Sequence, residues 1–251
     1  MTAETAPDRK LYAVTGKDAL PFLQGLVSND VLPLAKADGI VWAALLTPQG
    51  KYLADFFVVA QGGGLLLDIK DSLAAATLRR LAMYRLRADV QLEESPAVVT
   101  RGLGPPPAAA FADPRHPALG WRAYGAEGAA PEIDWDAIRV AHTIPESGIE
   151  LIPEDSYLLE NGFERLHGVD FRKGCYVGQE VTARMKHKTE LRKGLVRVKV
   201  EGSAPAGGEV RAGDRVIGRL FTRSCGVALA HLRLDQATGP LRAGDAQIWL
   251  E

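Results

Sequence analysis

From Arg192 to the end of the chain, apolar and polar residues alternate in short segments that glycines separate. Residues 195–200 alternate apolar side chains with cations. The same alternation recurs in residues 216–220, 227–230 and 247–250. Alternation with a period of two is typical of strands that bury one face, and closely spaced turns favour antiparallel pairing. We therefore expect residues 192–251 to form a small C-terminal antiparallel β-barrel.

Residues 1–191 have a different pattern, in which apolar hairpins alternate with helical segments. Residues 41–46 and 52–60 are rich in β-forming side chains, and the turn sequence at 47–50, Thr-Pro-Gln-Gly, separates them. The glycines at 62–64 separate this hairpin from another apolar run at 65–69, so we expect a second hairpin there. A glycine triplet also suits phosphate binding, but this one opens a strand and lacks the Lys-Ser/Thr ending of a P-loop. We predict a body of the α+β class.

The composition is that of a soluble globular protein, since 47% of the 251 residues are hydrophobic and the formal net charge is −1. A charge this small gives no global attraction to nucleic acid or to an anionic membrane. No apolar run approaches the roughly 18 residues that a membrane helix needs, and the start of the chain lacks the apolar segment of a signal peptide. We therefore expect a cytoplasmic protein with no membrane partner.

The chain has two cysteines, Cys175 and Cys225. Two cysteines in a chain this long do not resemble the disulfide framework of a secreted protein, so we expect reduced thiols. The sequence contains no Cys-x-x-Cys, and His167 and His187 flank Cys175 without the spacing of a ligand set. We expect no bound metal, and we interpret both histidines as surface or hydrogen-bonding residues.

Residues 173–180, Lys-Gly-Cys-Tyr-Val-Gly-Gln-Glu, come immediately before a basic, helix-like segment. Glycines this close together suit a tight turn or a close approach to a ligand. Backbone N–H groups at a helix start, together with Arg172 and Lys173, favour the thiolate form of Cys175. Cys175 is therefore the candidate catalytic residue, as a functional thiol. The alternative is a small buried hydrophobic residue, which is common for free cysteine.

The neighbours of Cys175 have both structural and functional interpretations. We expect Gly174 and Gly178 to serve the backbone more than a ligand. Gln179 and Glu180 fall in the first turn of the predicted helix, where the helix dipole favours a carboxylate and capping alone explains it. Tyr176 is expected either to pack in the core or to stack on a ligand.

The motif at 173–180, with Arg184 following it, resembles the signature of the folate-binding YgfZ proteins. These proteins are relatives of the glycine-cleavage aminomethyltransferases and of a mitochondrial iron–sulfur assembly factor. Four further segments carry the same resemblance: residues 22–31, 47–51, 152–154 and 218–224. The similarity touches most of the chain and is weakest between residues 102 and 132.

The resemblance implies an aminomethyltransferase-like fold of three small domains around a central opening. Residues 1–191 would supply two interleaved α+β subdomains, and the barrel would come last. It also implies tetrahydrofolate as cofactor, iron–sulfur client or assembly proteins as partners, and indirect effects on tRNA thiolation enzymes. The candidate cofactor-binding residues are Asp55, Lys173, Gly174, Tyr176, Gly178, Gln179, Glu180 and Arg184.

The sequence departs from the aminomethyltransferases at two positions. Their paired Asp-Asp appears here as Ala54-Asp55, and the glutamate that contacts their pterin corresponds to Ala141. Loss of a buried carboxylate that hydrogen-bonds a ligand weakens binding by about 1.5–3 kcal/mol. We therefore do not expect an enzyme in the strict sense. The alternative is a tetrahydrofolate-dependent one-carbon transferase, with Asp55 as its surviving polar group.

A run of cationic residues follows the motif: Arg184, Lys186, His187, Lys188, Arg192 and Lys193. Such a run is usually a solvated face. It also suits the polyglutamate tail of a folate, a phosphate backbone or an acidic partner. A second alternative is an RNA-binding module, but the chain lacks a positive net charge and aromatic-rich basic strands, so nucleic acid is not expected as a partner.

Overall fold

The computed structural model describes residues 3–187 and 191–251, and its strands form two open sheets and one closed barrel. Neighbouring strands in all three are antiparallel. Lys188, one of the cations in the predicted basic run, lies outside the described residues.

A five-stranded sheet contains both predicted hairpins. Its strands in spatial order are β3 (Gly39–Leu46), β4 (Tyr52–Gln61), β5 (Gly64–Lys70), β2 (Arg9–Thr15) and β6 (Gln91–Glu94). β3 pairs with β4, and β4 pairs with β5, so both hairpins are confirmed. Gly62 and Gly63 both have positive φ at the second turn, a conformation that glycine adopts without steric penalty.

A four-stranded sheet completes the body of the protein. Its strands in spatial order are β1 (Ala3–Thr5), β7 (Val98–Gly102), β9 (Trp121–Gly125) and β8 (Phe111–Ala112). β1 pairs with β7, although the whole five-stranded sheet lies between them in sequence. The described chain therefore starts in this sheet, leaves to build the other one, and returns.

The described residues also form four α-helices and four short 3-10 helices. The α-helices are α1 (Ala19–Gln24), α2 (Asp71–Arg85), α3 (Trp135–His142) and α4 (Gln179–His187). Short 3-10 helices cover Leu32–Ala35, Pro117–Leu119, Leu159–Asn161 and Leu234–Gln236. α4 starts shortly after Cys175, which confirms the predicted helix start. Gln179 and Glu180 occupy its first turn, also as predicted.

The C-terminal strands close into a barrel. In spatial order they are β10 (Lys193–Glu201), β13 (Val227–Arg233), β12 (Arg215–Ser224), β11 (Glu209–Ala212), β14 (Leu241–Ala243) and β15 (Ala246–Leu250). Alternate residues such as Val198, Val200 and Leu220 fill its interior. The α+β fold class with a small antiparallel barrel is confirmed.

β4 separates two apolar clusters of the body. On one face Phe56 and Val58 pack against Leu23 of α1. On the other face Phe57 joins a cluster with Trp42. Since side chains alternate along a strand, Asp55 shares the face of Phe57 and is held among buried aromatic residues.

Candidate functional site

The loop that carries the motif, residues 167–178, is tied to residues 24–31 by the buried ammonium group of Lys173. Lys173 Nζ donates hydrogen bonds to the backbone carbonyls of Gln24 (2.8 Å), Val27 and Asn29 (2.9 Å). Three acceptors match the three N–H donors of an ammonium group. Burial lowers the pKa of Lys173 to about 8, so the ammonium is still charged at neutral pH.

Asp170 holds the same loop from within. Its carboxylate Oδ1 accepts hydrogen bonds from the backbone N–H groups of Arg172 (2.6 Å) and Lys173 (3.2 Å). The Asn29 side chain adds a third tie by donating to the carbonyl of His167 at 2.7 Å. The loop is therefore held in one conformation, which reduces the conformational entropy it loses on meeting a partner.

Cys175 lies on this loop with an exposed side chain. The alternative interpretation of Cys175 as a buried hydrophobic residue is therefore wrong. The hydrogen bonds of the Lys173 ammonium go to backbone carbonyls, so its role is to fix the loop. Cys225 is also exposed, on the turn between β12 and β13, and both thiols are free as expected.

The two motif glycines differ in what the backbone requires. Gly178 has φ +84°, and a Cβ there would lie 2.5 Å from the Thr47 carbonyl oxygen. The backbone role predicted for Gly178 is therefore confirmed. A Cβ on Gly174 would meet nothing within 4 Å, and its φ is not positive, so the backbone does not require glycine there. The same role predicted for Gly174 is wrong, because that part of the loop faces open space.

Of the remaining motif side chains, Tyr176 is buried, Val177 and Gln179 are half-buried, and Glu180 is exposed. Tyr176 is buried in the core cluster of Trp42, and burial raises its pKa to about 12. Of its two predicted roles, the structure shows packing. Glu180 and Arg184 form an ion pair of 3.0 Å between side chains that are 85% and 66% exposed. Such a pair contributes less than about 0.5 kcal/mol.

The described part of the basic run is partly neutralised. Lys186 pairs with Glu164, and its ammonium lies 5.5 Å from the centre of the Phe171 ring. Arg184, Lys186 and His187 all lie in the last turn of α4, where the helix dipole favours cations. These contacts support the interpretation as a solvated helix face. An anionic partner for the run stays a prediction.

Asp55, the candidate for contact with a folate, is buried and already has hydrogen-bond donors. Its carboxylate accepts from Trp42 Nε1 (2.8 Å), Tyr52 Oη (2.6 Å) and Ser147 Oγ (2.5 Å). The surroundings of Asp55 therefore do not fit a pterin, because both oxygens of its carboxylate already accept hydrogen bonds from the chain's own side chains. Ala141, where the aminomethyltransferases have a glutamate, offers no polar side chain in its place.

Two cavities open where the barrel meets the body. Their volumes are about 440 and 380 Å³, and both are lined by Glu160 and Lys193. Either is large enough for a small ligand. Within residues 3–187 and 191–251, no three His, Cys, Asp or Glu side chains are placed to hold a metal ion. No helix in the same ranges combines the length and apolar character needed to cross a bilayer.

Comparison with known proteins agrees with this architecture. A family model for the CAF17 C-terminal β-barrel domain matches residues 192–251. The iron–sulfur cluster assembly factor IBA57 of Mus musculus is 32% identical over 93% of this chain and 78% of its own length. The chain belongs to the IBA57 family. The Homo sapiens protein of that name is 30% identical with the same coverage of both chains.

Other members of the IBA57 family are longer. The IBA57 homologue of Mycosarcoma maydis is 32% identical over 76% of this chain, and the chain spans 55% of that relative's length. All three relatives are named as mitochondrial proteins. This contradicts the cytoplasmic location that we expected. That expectation came only from the absence of a signal-like segment. The finer resemblance to YgfZ proteins stays a prediction.

The fold likeness reaches beyond the IBA57 family. Aminomethyltransferase T of the glycine cleavage system from Bartonella henselae superposes with a TM-score of 0.77. The match covers 98% of this chain and 83% of that one, at 13% sequence identity. The aminomethyltransferase-like fold is thereby confirmed. At this identity the likeness shows the fold alone.

A buried network of charged residues in this IBA57 family member was missed from the sequence. Asp68 accepts hydrogen bonds from Arg9 Nε (2.6 Å) and Arg122 Nη2 (2.7 Å), which joins the two sheets of the body. Arg139 bonds Glu150 at 2.9 Å and also reaches Thr222 of the barrel at 3.0 Å. Asp68 interrupts an apolar strand, and this was the available signal, because a buried carboxylate needs partners.

Proposed function

We propose that this protein supports the assembly or repair of iron–sulfur clusters, and that the Cys175 thiol makes transient contact with a cluster or a client protein. The observation that carries the proposal is an exposed thiol on a loop that Lys173 and Asp170 hold in place. The relatives in the IBA57 family are named as iron–sulfur cluster assembly factors. That function suits an accessory protein without turnover of its own.

The position of Cys175 suits such contact for two reasons. Thiolates are the usual protein ligands of iron–sulfur clusters. The loop is already ordered by hydrogen bonds between side chains and backbone groups, so a partner that meets the thiol does not have to order the loop first. A single cysteine leaves the other cluster ligands to the partner, which is the arrangement expected for transient contact.

The test is Cys175→Ser, with Cys225→Ser as the matched control because both thiols are exposed. In cells that lack the native gene, we expect Cys225→Ser to sustain the activity of iron–sulfur enzymes and Cys175→Ser to lose most of it. Iodoacetamide should label Cys175 in the native protein at a rate close to that in the unfolded protein. Full activity with Cys175→Ser, or protection of Cys175 in the native state, would refute the proposal.

Two finer points belong to the same proposal. Indirect effects on tRNA thiolation would follow from reduced maturation of iron–sulfur enzymes in that pathway, so they should appear only after those enzymes lose activity. Tetrahydrofolate binding stays a prediction, and the proposed function does not depend on it. The one-carbon transferase alternative would need the carboxylate of Asp55, whose oxygens are bonded to Trp42, Tyr52 and Ser147.

A further inference from the structure

The interior of the body contains an arrangement that resembles an occupied ligand site. Asp55 is 4% exposed and accepts one hydrogen bond from the indole N–H of Trp42. Its other oxygen accepts from the hydroxyl groups of Tyr52 and Ser147. A buried carboxylate with converging donors is typical of sites that orient a polar heterocycle. Here the heterocycle is a side chain of the same protein.

The indole of Trp42 is enclosed as a bound ring would be. It is fully buried and stacks on Phe163, with 4.1 Å between ring centres and 22° between ring planes. Gly168 leaves space for this stack, because a Cβ there would lie 2.5 Å from the Phe163 ring and 2.6 Å from the indole. Arg115 lies 5.8 Å from the indole centre. Stacking, a cation and a carboxylate for the ring N–H together surround a flat bicyclic ring.

We infer that Trp42 is an internal occupant of a site for a flat, bicyclic heteroaromatic ring that donates an N–H to Asp55. In the native protein this site is closed, because the indole uses both the ring space and the hydrogen bond to the carboxylate. A pterin is a ring of this class, so it competes with Trp42 for the same carboxylate. The inference is independent of the function proposed for Cys175.

The test is calorimetric titration of indole and of tetrahydrofolate into wild type, Trp42→Ala and Trp42→Phe. Wild type and Trp42→Phe should bind neither at Asp55, since a ring still fills the space. Trp42→Ala should bind indole at least 100-fold more tightly than wild type does. Adding Asp55→Asn to Trp42→Ala should reduce that affinity at least tenfold, because an uncharged amide accepts a ring N–H more weakly.

Two results would overturn the inference. One is saturable binding of tetrahydrofolate to wild type that Asp55→Asn abolishes, because the carboxylate would then be available with Trp42 in place. The other is a folded Trp42→Ala variant that binds neither probe. If Trp42→Ala does not fold alone, it is refolded with indole present, and we expect a cooperative melting transition to return. Failure of indole to restore that transition would equally reject an internal occupant.

Discussion

The ammonium group of Lys173 meets three backbone carbonyls that lie more than 140 residues earlier in the chain. A buried charge is tolerated only when each of its donors has an acceptor, and this one satisfies that condition. In the same motif Cys175 is exposed to solvent. Within three positions, one residue therefore stabilises the fold and another is left free for chemistry.

Replacing Lys173 by methionine should lower the free energy of unfolding by about 3 kcal/mol, because three backbone carbonyls lose the donor that they share. Urea unfolding measures the change. Lys186→Met is the matched control, since that lysine is exposed and its ion pair with Glu164 contributes less than about 1 kcal/mol. A Lys173→Met protein as stable as the control would show that the three hydrogen bonds do not stabilise the loop.

At the scale of elements, the start of α4 packs against the turn between β3 and β4. A Cβ on Gly178 would meet the Thr47 carbonyl, and a Cβ on Gly50 would lie 2.8 Å from Val181. Glycines on both sides therefore permit the close approach of two backbones. This contact fixes the end of the loop that follows Cys175.

Gly178→Ala should destabilise the protein by about 3 kcal/mol, because it adds both a clash and a positive-φ penalty. Gly174→Ala, from the same motif, should change stability by less than about 0.5 kcal/mol, because open space surrounds it. Thermal melting compares the two variants. Equal melting temperatures would mean that the turn and α4 can separate at little cost.

The elements that could be predicted from the sequence are those set by neighbouring residues. Alternation and turn glycines predicted the hairpins of β3, β4 and β5 and the C-terminal barrel. The hydrogen bonds of the Lys173 ammonium group could not be predicted, since their acceptors are backbone carbonyls of a distant loop. Asp55 was interpreted as a ligand contact from the family resemblance, but it accepts from Tyr52 on its own strand, Trp42 on the paired strand and the distant Ser147.

Across the whole molecule, half-buried ion pairs connect segments that lie far apart in the sequence. Lys70 of β5 donates to Asp8 (2.6 Å) and to Glu146 (2.8 Å), which follows α3. Burial alone raises the pKa of Glu146, but Lys70, Arg115 and Arg139 outweigh it and lower that pKa to about 2. The ionised carboxylate therefore ties β5 to the segment that follows α3.

This link should weaken in acid. The folded pKa of Glu146 lies below its ordinary value, so its contribution is complete above about pH 5 and is lost as the pH falls towards 2. The contribution is about 3 kcal/mol at most. Glu146→Gln removes the titrating group, so its free energy of unfolding should fall less steeply between pH 5 and 3 than that of wild type. Parallel curves in urea unfolding would contradict this.

The strand β1 pairs with β7, and the backbone N–H of Thr5 also donates to the carbonyl of Ala129 at 2.9 Å. Glu4 is buried and accepts hydrogen bonds from the backbone N–H groups of Glu132 and Ile133. A ribosome releases the residues of β1 long before their partners are made. The nascent chain must therefore carry this strand unpaired until residues 98–133 have been made, by which point every strand of the five-stranded sheet has already been synthesised.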